Sequence, residues 1–179
     1  MVNRAVSPIK RGSGKPGSGE PLFRLGKDHI GFMESGVSIR AASHDTQNRP
    51  VQGHAGGCRV ASDGGRVTIF LSRVKYPLLL DAIRRSGVVA VSFIEPSTNK
   101  SIQVKGEAAE LAQSQPGDLE RIAAYLDLFT ADLERIDVRA ALGRAVLTIA
   151  PADLAAIDFT PAIAFIQTPG AKAGAPIEA

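Results

Sequence analysis

Val51-Gln-Gly-His-Ala-Gly-Gly-Cys-Arg-Val-Ala61, Ser62-Asp-Gly-Gly65 and Arg66-Val-Thr-Ile-Phe-Leu71 follow one another in the chain, and their reading decides the fold. Asp63-Gly64 supplies the positive backbone angles of a tight turn between right-twisted strands. Residues 51–61 are therefore expected to pair antiparallel with residues 66–71. Upstream, Val37, Ile39 and Ala41 alternate with Ser38, Arg40 and Ala42, the period of a half-buried strand. The turn formers of Asp45-Thr-Gln-Asn-Arg-Pro50 join it to the hairpin, with Pro50 at a strand start where a missing donor costs little. Asp28 is placed to cap a short helix running to Ser35 and ended by Gly36, which would set Ile30, Phe32 and Met33 over the end of a sheet.

Downstream of the hairpin, Leu78, Leu79, Ala82 and Ile83 repeat at helical spacing between Tyr76 and Ser86. Pro77 suits the first turn, Arg84 and Arg85 suit the last, and Gly87 can end the helix. Val88–Ile94 is apolar at nearly every position and reads as a strand covered on both faces. Pro96–Asn99 then turns the chain into a strand over Ser101–Leu111. Leu119, Ile122, Ala123, Leu126, Phe129, Leu133 and Ile136 form the stripe of a helix starting near Asp118. Ala145, Leu147 and Ile149 alternate, which predicts a last strand over Arg144–Ala150.

Six short strands with helices between them predict a mainly β fold with flanking helices, a closed or nearly closed antiparallel barrel without exposed edges. The first three strands are too closely spaced for the crossover helices of a parallel sheet. The 179 residues, 44% of them apolar, suffice for one domain with a substantial core. We place it at residues 22–168, between a flexible N-terminal arm (1–21) and a flexible tail (169–179). Gly12-Ser-Gly-Lys in the arm lacks the full spacing of a phosphate loop and any preceding strand.

A net charge of +3, carried by scattered basic residues, fits a solvated surface better than a nucleic-acid face. The single cysteine, Cys58, excludes an intrachain disulfide, and the apolar runs are too short to span a bilayer, so a cytoplasmic location is expected. His29, His44 and His54 have no ligand spacing, and no metal site is expected. No Ser–His–Asp set can be assembled, and Asp153, Asp158 and Glu178 read as loop or tail charges.

The order of strands, the helix after the third strand and the Ser72-Arg73-Val74-Lys75 segment before that helix resemble the flavin-binding split-barrel family of pyridoxamine-phosphate-oxidase-like proteins. The resemblance covers about Phe32 to Leu111. It implies a six-stranded split β-barrel, a homodimer with flavin mononucleotide (FMN) in a groove at the interface, and a flavin-dependent oxidoreductase acting on a small molecule. Ser72, Arg73 and Lys75 would hold the phosphate: a hydroxyl, a forked guanidinium and an ammonium converge before a helix N-terminus. His54, Gly56, Arg59 and Gln103 complete the candidate cofactor-binding set, His54 because it stands beside the glycine pair, with a hydrogen-bonded structural histidine as its alternative. Gly56-Gly57 serves either a bulge, the approach of a flat ring, or a barrel corner. Gln103 lies on a strand face with Ser101 and Lys105, either toward the flavin or simply toward solvent.

The chain departs from the family on the second strand, where relatives commonly carry an arginine and a lysine and this sequence has Gly53 and Cys58. That departure sustains an alternative: a non-catalytic dimeric binding or regulatory protein that has lost tight FMN binding, or that takes haem or a deazaflavin.

Overall fold

The computed structural model describes residues 23–178; the expected N-terminal arm lies outside them. The helices are α1 (Lys27–Met33), α2 (Pro77–Ser86), α3 (Asp118–Glu134) and α4 (Ala140–Leu147). The strands are β1 (Ser38–His44), β2 (Pro50–Val60), β3 (Val67–Ser72), β4 (Val89–Ile94), β5 (Ser101–Ala112) and β6 (Leu154–Ile166). They close into an antiparallel barrel in the order β1-β2-β3-β6-β5-β4. Its interior is apolar: Ile39 and Ala41, Val67, Ile69 and Leu71, Val91 and Phe93, Val104, and Ile157 and Phe159 are all fully buried.

Of the three roles open to the glycine pair of β2, the structure shows a bulge. Ala55 pairs with Leu71 but Cys58 pairs with Ile69, so β2 carries one extra residue there. The bulge turns Cys58 inward, where its thiol donates to the Met33 carbonyl at 3.2 Å, and turns Arg59 outward. Burial pushes the Cys58 pKa far up, so it stays a thiol. Gly53 also faces inward, and the Tyr76 ring fills its side-chain space, 2.7 Å from where a Cβ would stand. The two positions at which the resemblance would place basic residues are thus core positions here.

α1 closes one end of the barrel with Met33 and Phe32 buried, as expected, but Gly26 rather than Asp28 caps it, and through its backbone. Tyr125 of α3 ties that end down, its hydroxyl donating to the carbonyls of Met33 (3.0 Å) and Val37 (2.9 Å). In α2 the buried face is Leu79, Leu80, Ala82 and Ile83, and Leu78 points to solvent. β4 alternates, with Val89, Val91 and Phe93 inside and Ala90, Ser92 and Ile94 half-covered; it is not buried on both faces. Of the predicted stripe, Leu119 and Ala123 of α3 are exposed, and Ile136 lies beyond the end of the helix and is exposed too.

The predicted strand Arg144–Ala150 is instead largely helix α4. Gly143 and Leu147, its buried residues, are four apart, and Ala140-Ala141-Leu142 favours helix. Gly143 permits the close approach of α3, since a Cβ there would lie 2.9 Å from a Leu133 methyl. The sixth strand is β6. Pro161 sits in it opposite Gly106, at a register shift in the β5–β6 ladder, where the missing N–H is tolerated. The segment expected as a flexible tail folds back: the Ile177 N–H donates to the Ala164 carbonyl at 2.8 Å, and Ile177 is buried.

One face of the barrel carries α3 and α4. Thr68, Phe70 and Ser72, the outward residues of β3, are as buried as its inward ones, because Ile122, Ile149 and Leu154 pack over Phe70. Every candidate residue on β2 and β3 lies beneath or beside this cover.

Candidate functional site

Ser72 ends β3, and the turn into α2 presents a hydroxyl, backbone N–H groups and two basic side chains as donors. The Ser72 hydroxyl donates to the Asp153 carboxylate, the Val74 N–H to Asp153 Oδ1 at 2.6 Å, and the Arg73 N–H to the Asp153 carbonyl at 2.8 Å. The Ser72 oxygen in turn accepts the Lys75 N–H at 3.0 Å. The Arg73 guanidinium donates to the Leu154 carbonyl at 3.0 Å. Lys75 Nζ reaches the other way and donates to the carbonyls of Val146 (2.9 Å) and Thr148 (3.3 Å) at the end of α4, a favourable place for a cation. The Ser72 hydroxyl bond holds the Asp153 carboxyl below the usual carboxylate range, aided by the Val74 N–H and the charges of Arg73 and Lys75.

These groups are the right chemistry for an anion, and an anion is there: the chain's own Asp153. A flavin phosphate would need the hydroxyl and N–H groups that Asp153 holds and the charges that Arg73 and Lys75 direct to carbonyls. The approach over Gly56 is taken as well, since a Cβ there would meet the Leu147 carbonyl oxygen at 2.8 Å and Ile149 at 3.0 Å. In this arrangement the residues do not fit FMN.

The remaining candidates go to different places. Arg59 lies 3.6 Å from the Asp118 carboxylate and donates to the Thr68 hydroxyl at 3.3 Å, which bonds Asp158 in turn. Gln103 donates to the Ser92 hydroxyl at 3.4 Å and pairs with Phe165, at the opposite end of β6 from the Leu154 that pairs with Ser72. Within one protomer it does not join the turn. Asp153 and Asp158, read from the sequence as loop charges, are both structural ligands of β3 hydroxyls.

His54 is half-buried on the outer face of β2 and pairs directly with Arg40 of β1. The two open into a 290 Å³ cleft walled by Pro96, Phe129, Leu133, Leu142, Val146 and Leu147. Burial, reinforced by the Arg40 charge, lowers the His54 pKa, so the ring is neutral near pH 7. Arg40 and Asp153 were not among the sequence candidates. The alternation of β1 already turned Arg40 outward, but only the β1–β2 register sets it beside His54.

No family model matches the sequence, and no curated protein matches it. Solved structures do. HupZ of Group A Streptococcus aligns over 84% of this chain and 99% of its own, with a TM-score of 0.51 at 13% identity. HutZ, the heme storage protein of Vibrio cholerae, aligns over 80% and 95%, with a TM-score of 0.45 at 15% identity. A pyridoxamine 5'-phosphate oxidase-related, FMN-binding protein of Nostoc punctiforme aligns over 81% and 83%, with a TM-score of 0.44 at 14% identity. At 13% identity the likeness to HupZ, at a TM-score of 0.51, shows the fold alone. The barrel is a six-stranded split barrel, the architecture implied by the resemblance to the pyridoxamine-phosphate-oxidase-like proteins. Among the described residues no helix is long and apolar enough to cross a membrane.

Proposed function

We propose that this chain is a small-molecule-binding split barrel, acting as a non-catalytic binding or regulatory dimer, rather than an oxidoreductase with resident FMN. The observation that carries this reading is the Asp153 carboxylate seated on the Ser72 hydroxyl and the Val74 N–H. An external phosphate has to displace a carboxylate that is covalently part of the fold and therefore always present at high local concentration. The inward-facing Gly53 and Cys58 support the same reading, because neither position offers a cation to replace those engaged at the turn.

The chemistry of the turn also keeps the flavoprotein reading concrete. Its hydroxyl, N–H groups and basic side chains would hold a phosphate if residues 148–153 moved away, and a bound flavin would then supply the redox chemistry.

An absorbance spectrum of the purified protein, followed by FMN titration of the wild type and of Asp153→Ala, separates the two. We expect a colourless wild type with FMN affinity weaker than micromolar, and at least tenfold tighter binding by Asp153→Ala. Flavin bands in the purified wild type, or saturation below micromolar FMN, would overturn the proposal. A Soret band would replace it with haem binding.

A further inference from the structure

We infer that the cleft between the β1–β2 ladder and α3–α4 binds a small aromatic carboxylate, with Arg40 and His54 holding the carboxylate and the walls of α3 and α4 enclosing the ring. This rests on the reading of the chain as a small-molecule binder and assigns that function to a place.

Charge sets the first argument. Most arginines of the described residues meet a carboxylate, as in Arg66–Asp158 on the barrel and Arg144–Asp127 between α4 and α3, both at 2.7 Å, whereas Arg73 is engaged by the Leu154 carbonyl. Arg40 meets none among the described residues, its neighbour across the ladder is His54, and no Asp or Glu lines the cleft. Two groups able to bond an anion thus stand side by side with no internal acid. At the β3–α2 turn the fold supplies that acid as Asp153; here it does not.

The walls set the second. Phe129, Leu133 and Leu147 form an apolar floor, while Leu142 and Val146 keep 56% and 45% of their surface exposed at the rim. Apolar side chains left open beside a cation that meets no carboxylate among the described residues suit a ligand with one charged end and one apolar end. A guanidinium fork matches a planar carboxylate through two parallel N–H bonds, and Arg40, itself exposed, offers that fork at the edge of the apolar walls. The volume of 290 Å³ lies near the lower end of ligand pockets, about 300–1,000 Å³, which favours a one- or two-ring molecule.

The test uses 2-naphthoate and its uncharged counterpart 2-naphthalenemethanol, titrated into the full chain by calorimetry, with the His54 ring followed by NMR. We expect saturable naphthoate binding that shifts the His54 resonances, at least tenfold weaker binding of the alcohol, and at least fivefold weaker naphthoate binding by Arg40→Gln and by His54→Gln. Ile163→Ser, in the separate apolar groove near Phe165, should leave binding unchanged, and thermal melts of each variant establish that it is folded. Equal affinity for acid and alcohol, or retention of full affinity in Arg40→Gln, would overturn the assignment. So would absent binding, or an affinity that falls as protein concentration rises because a second copy covers the cleft. Resident FMN in the wild type would instead refute the closed turn, while the Arg40 result is still read from the naphthoate titration.

Discussion

Two basic places lie on the helix-covered side of this barrel, and they differ in one respect: whether the fold supplies the counter-charge. At the β3–α2 turn, Ser72, Val74, Arg73 and Lys75 all have partners, and the anion among those partners is Asp153. At the cleft, Arg40 and His54 share a ladder position and face apolar walls with no acid. The turn matches a family motif in the sequence, yet it is the place already satisfied. Donor chemistry alone does not mark a binding site; what decides is whether the donors are already engaged when the ligand arrives.

The comparison depends on the segment that runs from α4 through Asp153, and disturbing that segment should give the largest effect. In Gly56→Val the new side chain collides with the Leu147 carbonyl and Ile149, and overpacking of this kind costs about 1–3 kcal/mol, read as a lower urea midpoint with unchanged slope. An unchanged midpoint would mean that the segment rests loosely on β2 and that the turn is open. Lys75→Met should cost less, ~0.3–1 kcal/mol, because it removes a cation from the carbonyl end of α4, and exchange of the α4 amides should rise with it.

Acid should loosen the turn. The folded-state pKa of Asp153 is depressed, so its stabilising contribution is complete above the ordinary carboxylate range and is lost as pH falls through the folded-state value. The stability difference between wild type and Asp153→Asn should therefore stay constant from pH 7 down to about 5 and shrink below the ordinary carboxylate pKa of ~4. A constant difference into strong acid would show that the carboxylate charge is not what closes the turn. The smallest effect belongs to the other place: Arg40→Gln should leave the melting behaviour within ~0.5 kcal/mol of wild type, since no side-chain partner among the described residues is lost. A larger loss would reveal a structural partner for Arg40 and weaken the contrast.

Much of the barrel was legible because it is built from local signals. The Asp63-Gly64 turn, the alternation of β1 and the Pro77-to-Gly87 helix each follow from nearby residues, and the glycine pair of β2 carries the bulge that aims Arg59 outward. The sixth strand differs because the alternation of Ala145, Leu147 and Ile149 has the period of a strand, whereas the face that packs, Gly143 and Leu147, has the spacing of a helix. In β6, Pro161 interrupts the strand pattern and is accommodated where the β5–β6 register shifts. Asp153 was unreadable as the anion at the turn because it is 81 residues from Ser72 along the chain. His54 was singled out for its glycine neighbours, but its pairing with Arg40 depends on strand register, which no side chain announces.

The most direct test of the contrast is a titration of the ¹⁵N-labelled wild type and Asp153→Ala with inorganic phosphate, following the amide resonances of Val74 and Lys75. The account predicts that these amides stay unmoved in the wild type at millimolar phosphate and shift saturably once Asp153 is removed. Saturable shifts of Val74 and Lys75 in the wild type, at the same phosphate concentrations as in the variant, would contradict it: the turn would then be an open phosphate site and Asp153 a bystander.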